Sequence, residues 1–204
     1  MYRSTVHSTL LLVLLTACLS HVNPNIAPEQ LPFLQPTVQS RVLLLIVPSF
    51  IGYTTEASSD MKDTYYHLGE STAAALIDVV KRSFGELKVL QATEAQGYQV
   101  MAAPSDTTIT DLVIVPHFEG GGFANNAWTA GTGVRLRLDV RSYRNGGAYS
   151  WIGEGHSKSA TKGYGTLYRR AISQALTSLV DSMRVHRSQL DFATEPRASH
   201  PTWD

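Results

Sequence analysis

Two histidines and one glutamate are the residues whose types and spacing come closest to metal chemistry. His117 and Glu119 are two positions apart in an apolar segment typical of a strand, so both side chains would share one face of a sheet. His156 lies in another predicted strand, and imidazole and carboxylate groups together can bind zinc. No His-Glu-x-x-His motif, second carboxylate or cysteine ligand accompanies them. We therefore predict no metal site.

Two further segments partly resemble a catalytic motif and a phosphate-binding motif. Ser49 follows a proline at a strand end, but the Gly-x-Ser-x-Gly elbow that exposes a nucleophile is absent. The glycines at positions 120–122 follow a strand, yet neither a Gly-Lys-Ser/Thr sequence nor an immediate helix comes after them. The sequence therefore predicts no catalytic residues and no enzyme.

The single cysteine has a clearer chemical assignment. Arg3 precedes an apolar run over residues 10–15, which is too short to span a bilayer because a membrane helix needs about 20 residues. This run closes with Leu15, Thr16, Ala17 and Cys18. The ending resembles a bacterial lipobox, whose cysteine is acylated after cleavage of the signal peptide. We expect processing at these residues and a covalent lipid on Cys18 as the only attached group.

The residue after the cysteine bears on location. In proteobacterial lipoproteins an aspartate there usually marks retention at the inner membrane, and this chain has Leu19. The pattern therefore resembles the outer-membrane sorting signal. We expect a protein that is anchored to the outer membrane by its lipid and faces the periplasm.

Composition and proline spacing suggest one folded domain between irregular ends. The 204 residues are 43% hydrophobic, with 17 basic and 17 acidic side chains, which is typical of a globular domain and argues against nucleic-acid binding. Prolines recur at every fourth position from Pro24 to Pro36 and favour an extended backbone. The predicted units are a signal peptide (1–17), a lipidated proline-rich tether (18–40), an α/β domain (41–187) and a C-terminal tail (188–204).

A second interpretation of the proline-rich segment is a strap rather than a tether. In that case it would pack on a neighbouring subunit, with Leu31, Phe33 and Leu34 as its apolar anchors. The sequence leaves both interpretations open.

Apolar periodicity predicts the elements of the domain. Residues 41–47 form a continuous apolar run, which indicates a buried strand, and after a polar loop residues 73–84 form an amphipathic helix. Residues 87–90 resume strand character, so these segments predict a right-handed parallel crossover, and residues 111–118 add another strand. The expected fold is α/β, with a single mixed sheet of about five strands and two main helices packed on it.

A hairpin completes the predicted sheet. Asn145 and Gly146 are typical of a two-residue type I′ turn, which would pair Arg137 with Glu154. Gly153 and Gly155 fall on the inner face, where they leave room for the close approach of a second helix. The apolar stripe of that helix runs over residues 168–183.

Two surfaces are candidate interaction sites. Residues 118–133 are predicted to be a glycine-rich loop whose aromatic residues would contact a membrane or a partner, or fold back onto the core. These aromatic residues are Phe118, Phe123 and Trp128. A stripe of arginines on the polar face of the next strand is a candidate subunit-contact face, or a solvated face. The stripe consists of Arg135, Arg137 and Arg141.

Several segments together resemble a superfamily of outer-membrane lipoproteins. Residues 41–50 resemble the opening strand and Pro-x-Phe turn of curli-secretion-channel lipoproteins and of the TolB amino-terminal domain, and residues 69–76 resemble their first helix. Residues 111–115, 135–151 and 167–183 are similar to their later strand, closing hairpin and last helix. Lipoproteins of Pel polysaccharide export, of penicillin-binding-protein activation and of the flagellum are similar in plan.

The resemblance implies a periplasmic domain that assembles into rings or regulates an envelope machine. We therefore expect a non-enzymatic homo-oligomer that forms a structural component of a secretion, export or flagellar system. Its expected partners are other proteins of that envelope machine. The alternative is a monomeric periplasmic regulator or binding module, for example an activator of a cell-wall synthase.

Overall fold

The structure, a computed structural model, describes residues 19–59, 62–102, 110–125, 130–144, 146–160 and 163–190. Two short 3-10 turns, Pro28–Gln30 and Arg187–Gln189, accompany the helices and strands. In chain order the helices and strands are β1 (Leu19–Val22), β2 (Val38–Ile46), α1 (Pro48–Ile51), β3 (Thr54–Ser59), β4 (Lys62–His67), α2 (Leu68–Ser83), β5 (Phe84–Gln91), α3 (Glu94–Ala102), β6 (Leu112–Asn125), β7 (Ala130–Ser142), β8 (Ala148–Ser159) and α4 (Tyr164–Val185).

A mixed five-stranded sheet in the order β5-β2-β6-β7-β8 forms the centre of the fold. β2 is parallel to β5 and to β6, whereas β7 is antiparallel to β6 and to β8. The predicted α/β class and mixed sheet are confirmed. The parallel pairing of β2 with β5 across α2 is also as predicted, because a parallel pair needs a crossover connection of this kind.

The two long helices cover one side of this sheet, which we call the inner face. Gly153 and Gly155 of β8 lie directly under α4, and a Cβ on Gly155 would fall on the backbone of Ala171 and 2.7 Å from the nitrogen of Ala175. Trp151, two residues earlier on the same face, is 1% exposed. The prediction that these glycines allow close helix packing is confirmed.

The hairpin between β7 and β8 has a different register from the predicted one. Arg135, not Arg137, is opposite Glu154, so the pairing is displaced by two residues and each side chain keeps its face. Tyr143 explains the longer loop. Its backbone N–H donates to the Asp111 carbonyl (3.0 Å) and its hydroxyl donates to the Val100 carbonyl (2.7 Å), so it is held outside the β7–β8 ladder.

A second, three-stranded sheet in the order β1-β4-β3 was not predicted, because the segment before α2 was interpreted as a polar loop. β1 is parallel to β4, and β3 is antiparallel to β4. One face of this sheet packs on the start of α4, where the Tyr66 and Tyr168 rings are 5.0 Å apart. The sequence of β3 is polar and has no alternating apolar pattern, so periodicity gives no signal for this strand.

The segment between β1 and β2 is extended but packs on its own domain. Leu34 is fully buried, and its N–H donates to Ser83 Oγ at 3.1 Å. The Arg82 guanidinium lies 4.7 Å from the centre of the Phe33 ring and donates to the carbonyl oxygens of Pro28 and Leu31. A free tether over this stretch is therefore wrong, and its apolar anchors contact α2 of the same chain.

Candidate functional site

The polar chemistry of the described chain is concentrated on the outer face of the five-stranded sheet, opposite α2 and α4. Here His117 Nε2 lies 3.2 Å from Asp139 Oδ2, and the Ser150 hydroxyl donates to Asp139 Oδ1 at 3.0 Å. These three residues come from β6, β7 and β8, so the sheet register alone brings them together. Sequence analysis singled out only the histidine of this group.

The order of the three groups differs from that of a Ser-His-Asp catalytic triad. In a Ser-His-Asp triad the imidazole stands between the hydroxyl and the carboxylate and takes the hydroxyl proton. Here the carboxylate of Asp139 stands in the middle, so the Ser150 hydroxyl donates to a carboxylate and not to the His117 imidazole. The arrangement fixes the positions of the three side chains and differs from a Ser-His-Asp triad.

Burial controls the charge of the histidine. It lowers the pKa of His117 below its ordinary value of 6.5, and the nearby Asp139 only partly opposes this effect. The imidazole is therefore neutral at pH 7, and its Nε2–H donates to the carboxylate.

An ion-pair network occupies the adjoining part of the outer face. A bulge in β6 after Phe118 directs Glu119 toward two arginines, with Arg137 Nη1 at 2.7 Å and Arg135 Nε at 3.0 Å. Arg135 also pairs with Glu154 at 3.3 Å. Two of the three predicted stripe arginines are thus balanced by carboxylates. Arg141 continues the stripe along β7, and the role of this stripe in subunit contact stays a prediction.

The predicted metal candidates do not converge. His156 is in register with Gly133, whereas His117 is in register with Arg137, about 13 Å further along β7 at 3.3 Å per residue. Glu119 is engaged by the arginines. Among the described residues, no group of three or more His, Cys, Asp or Glu side chains is placed to hold a metal ion.

A cavity of about 330 Å³ lies between α3 and the outer face. His117 and Asp139 line it together with Glu94, Tyr98 and Met101. The remaining lining residues are Val47, Gly97, Val115, Ala148, Tyr149 and Ser150. It is mainly apolar with carboxylates at its border, a composition suited to an apolar group that carries a hydrogen-bond donor or a positive charge.

Helix α3, which forms one wall of this cavity, was missed in the sequence although a signal was present. The Thr93 N–H donates to Gln96 Oε1 at 2.9 Å, and the Gln96 N–H donates to Thr93 Oγ1 at 3.2 Å. This reciprocal pair is a capping box, which marks a helix start as a Thr-x-x-Gln sequence. At the same end of the cavity, Glu94 Oε1 accepts the Ser49 N–H at 2.9 Å. Ser49 therefore has a structural contact there.

The predicted glycine-rich loop is largely part of β6 and β7. Phe118 packs on the inner side, with its ring 4.2 Å from Tyr53 and 5.0 Å from Phe50, so it is a packing residue. Phe123 is 37% exposed and meets the edge of Tyr164 at 5.5 Å. Trp128 lies outside the described residues. Phe118 therefore packs on the core instead of contacting a membrane or partner from a loop, because strand pairing continues past it. Contact of Phe123 with a membrane or partner stays a prediction.

The lipidation residues Leu15, Thr16, Ala17 and Cys18 also lie outside the described residues. The described chain opens with β1 at Leu19, which is in register with Asp63 of β4. No helix of the described chain is both long and apolar enough for a membrane span.

No protein-family model matches this chain, and no curated protein matches it. It is similar in structure to protein XCC0632 from Xanthomonas campestris, a DUF330 protein, with a TM-score of 0.54 and 10% identity over 83% of this chain and 97% of that chain. A PelC dodecamer from Paraburkholderia phytofirmans gives a TM-score of 0.41, with 12% identity over 74% and 93%. Lipoprotein GNA1162 from Neisseria meningitidis gives 0.39, with 14% identity over 73% and 99%. The similarity to XCC0632 shows a shared fold.

Proposed function

We propose that this chain is an outer-membrane lipoprotein, anchored through a lipid on Cys18, that acts as a non-enzymatic, oligomeric ring-type component of an envelope-spanning machine. The lipobox-like sequence and Leu19 support the anchor. The central position of Asp139 between His117 and Ser150 supports a role without catalysis.

The beginning of β1 bears on how the domain is held. Leu19, the residue after the lipidated cysteine, is already paired with β4. A lipid on Cys18 would therefore hold the small sheet close to the membrane surface, without a long intervening spacer. Close attachment of this kind suits subunits that assemble on a membrane better than a lone activator that must reach across the periplasm.

The main observation in favour of an oligomer is the exposure of β5. This strand is an edge of the five-stranded sheet, and only Phe84 of its eight residues is buried. Val89 and Leu90, which point to opposite faces, are 36% and 41% exposed. An edge strand uncovered on both faces exposes unpaired backbone groups beside apolar side chains, and such an edge is stabilised by contact with another chain. We assign β5 to the subunit interface.

The test is the oligomeric state of the lipidated protein extracted from its membrane in mild detergent. We expect a single closed oligomer by mass measurement and by negative-stain imaging. Leu90→Lys places a charge on the proposed interface and should shift the protein to monomers. Val185→Lys is the matched control, because Val185 is 80% exposed at the end of α4 and does not belong to β5. It should leave the oligomer intact.

A monomeric wild-type protein, or an oligomer that tolerates Leu90→Lys as well as it tolerates Val185→Lys, would contradict the proposal. Conversion of Cys18 to Ser tests the anchor separately. We expect this variant to be released from the membrane fraction, and a variant that stayed there would exclude attachment through the lipid.

The cavity beneath α3 favours a second candidate, the monomeric binding module. Its apolar lining and the carboxylates of Glu94 and Asp139 would accept an apolar group with a positively charged end. This function would be indicated by one partner bound at one-to-one stoichiometry and lost in Tyr98→Asp, a change at a residue that is 70% exposed and should not unfold the domain.

A further inference from the structure

Two histidines meet on the uncovered face of the three-stranded sheet, remote in sequence from each other and from the cavity. His21 Nδ1 of β1 lies 2.9 Å from His67 Nε2 at the end of β4. The two ring planes are inclined by 23° with centroids 5.1 Å apart, so the rings meet edge to edge, and the Tyr65 ring lies 5.6 Å from the His21 ring. Two ring nitrogens that face each other at this distance share one proton between them.

The hydroxyl of Thr54 determines where that proton comes from. Thr54 Oγ1 lies 3.2 Å from the Gly52 carbonyl, to which it can only donate, and 3.3 Å from His67 Nδ1. When the hydroxyl hydrogen is on the carbonyl, Oγ1 accepts from His67 Nδ1. With its proton on Nδ1, a neutral His67 has a free electron pair on Nε2. Metal-binding histidines are oriented in this way, with one ring nitrogen donating to a second group while the other nitrogen binds the ion.

We propose that His21 and His67 form a binding site for a divalent late transition-metal ion, with Zn²⁺ as the reference ion. The metal takes the place of the shared proton, which moves to Nε2 of His21, and water completes the coordination. Two nitrogens bound to tetrahedral zinc at about 2.0–2.1 Å lie about 3.3 Å apart. The rings therefore need to separate by only about 0.4 Å from their present 2.9 Å.

The surroundings of the pair suit a cation. The face is open to solvent, and Glu56 of β3, opposite Tyr65, is an exposed carboxylate on the same face. The ion would bridge β1 to β4 three residues after Cys18, and so would fasten the strand next to the proposed anchor. Metal binding itself does not depend on lipidation or on a ring, so its test is independent of the proposed function.

Calorimetric titration of the purified full-length protein with Zn²⁺ at pH 7.5 tests the site, with a purification tag that contains no histidine. We expect saturable binding of one ion per chain, with no response to Mg²⁺. His21→Ala and His67→Ala should each lower the Zn²⁺ affinity by at least about tenfold. His156→Ala, which removes an exposed histidine of β8, is the control and should bind like the wild type.

Two further measurements separate metal binding from a merely structural hydrogen bond. Thr54→Val keeps the shape of the residue but removes the acceptor for His67 Nδ1, and should weaken Zn²⁺ binding several-fold. Zn²⁺ should slow hydrogen exchange of the β1 amides in the wild type and not in His67→Ala. The proposal is overturned if the wild type shows no saturable Zn²⁺ binding, or if both alanine variants at His21 and His67 bind Zn²⁺ as tightly as the wild type.

Discussion

On the inner face of the five-stranded sheet, Leu138 and Val140 of β7 are 1% and 0% exposed. Arg137 and Asp139, which alternate with them along the strand, form ion pairs on the outer face. The two faces thus alternate residue by residue along one strand. The inner side is filled by two long helices, and the outer side holds a short helix above a cavity. Packing and polar chemistry are therefore separated by a single layer of backbone.

This separation indicates where stability and function reside. Close packing makes the inner face sensitive to the addition of one methyl group. Exposed ion pairs contribute on the order of 0–1 kcal/mol each, so the outer face can change with little effect on folding. Matched substitutions on the two faces should therefore differ strongly in their effect on the free energy of unfolding.

The largest expected difference is between two glycines. Gly155→Ala places a methyl group on the backbone of Ala171 and Ala175 in α4, and neither main chain can move without displacing the helix. We expect a loss of about 3 kcal/mol or more in the free energy of unfolding. Gly120→Ala, on the outer side opposite Arg135, has nothing within 4 Å of its new Cβ and should be nearly neutral.

Urea unfolding of both variants measures this difference through the transition midpoint at unchanged slope. Equal midpoints would mean that α4 moves away from β8 at little cost, and the distinction between a tightly packed and a tolerant face would fail.

The second difference concerns two carboxylates that each lie between two arginines. Asp111, before β6, has a side chain that is 2% exposed and pairs with Arg41 at 3.2 Å and Arg144 at 2.8 Å. Glu119 pairs with two arginines on the outer face, where its side chain is 24% exposed. Asp111→Asn should cost about 2–3 kcal/mol, because it removes the negative charge that Arg41 and Arg144 face at a buried position. Glu119→Gln should cost less than about 1 kcal/mol.

The acid dependence of stability checks the same comparison. Burial acts to raise the pKa of Asp111, but hydrogen bonds from Arg41 and Arg144 outweigh it, and the pKa falls below its ordinary 3.8. Its stabilising contribution is therefore complete above pH 3.8 and is lost as the pH falls through the folded-state pKa. Unfolding measured from pH 7 to pH 2.5 should show a shallower acid loss in Asp111→Asn than in the wild type. Identical curves would contradict the assignment.

The inner face was predictable from the sequence because its pattern is local and apolar. The run over residues 41–47, the amphipathic helices and the two inward glycines Gly153 and Gly155 all follow from periodicity. The hairpin register was not predictable from the sequence, because Tyr143 is held by residues 111 and 100, which lie far away in the sequence. The small sheet was missed for a similar reason, since its polar strands acquire an inward side only when they meet Tyr168.

The outer face was predictable only in part. His117 and Glu119 were selected as polar residues on one strand, but their partners Asp139, Ser150 and Arg135 depend on strand register. Even the pairing of His21 with His67 joins residues that are 46 positions apart. Residue types therefore indicate which side chains can do chemistry, whereas long-range pairing decides which of them meet.

The smallest expected effect is a change in the pKa of His117, which reports how strongly the outer face is desolvated beneath α3. Burial lowers the pKa of His117 below 6.5 and Asp139 opposes it, so Asp139→Asn should lower the pKa further. Because the unfolded state then takes up the proton first, stability falls as the pH decreases from 6.5 toward the folded-state pKa, and falls more in this variant. NMR titration of the His117 ring measures the shift, with Ser150→Ala as a control that keeps the Asp139 charge. A wild-type midpoint at or above 6.5 would mean that water reaches the cavity floor freely, and that the outer face has no desolvated region beneath α3.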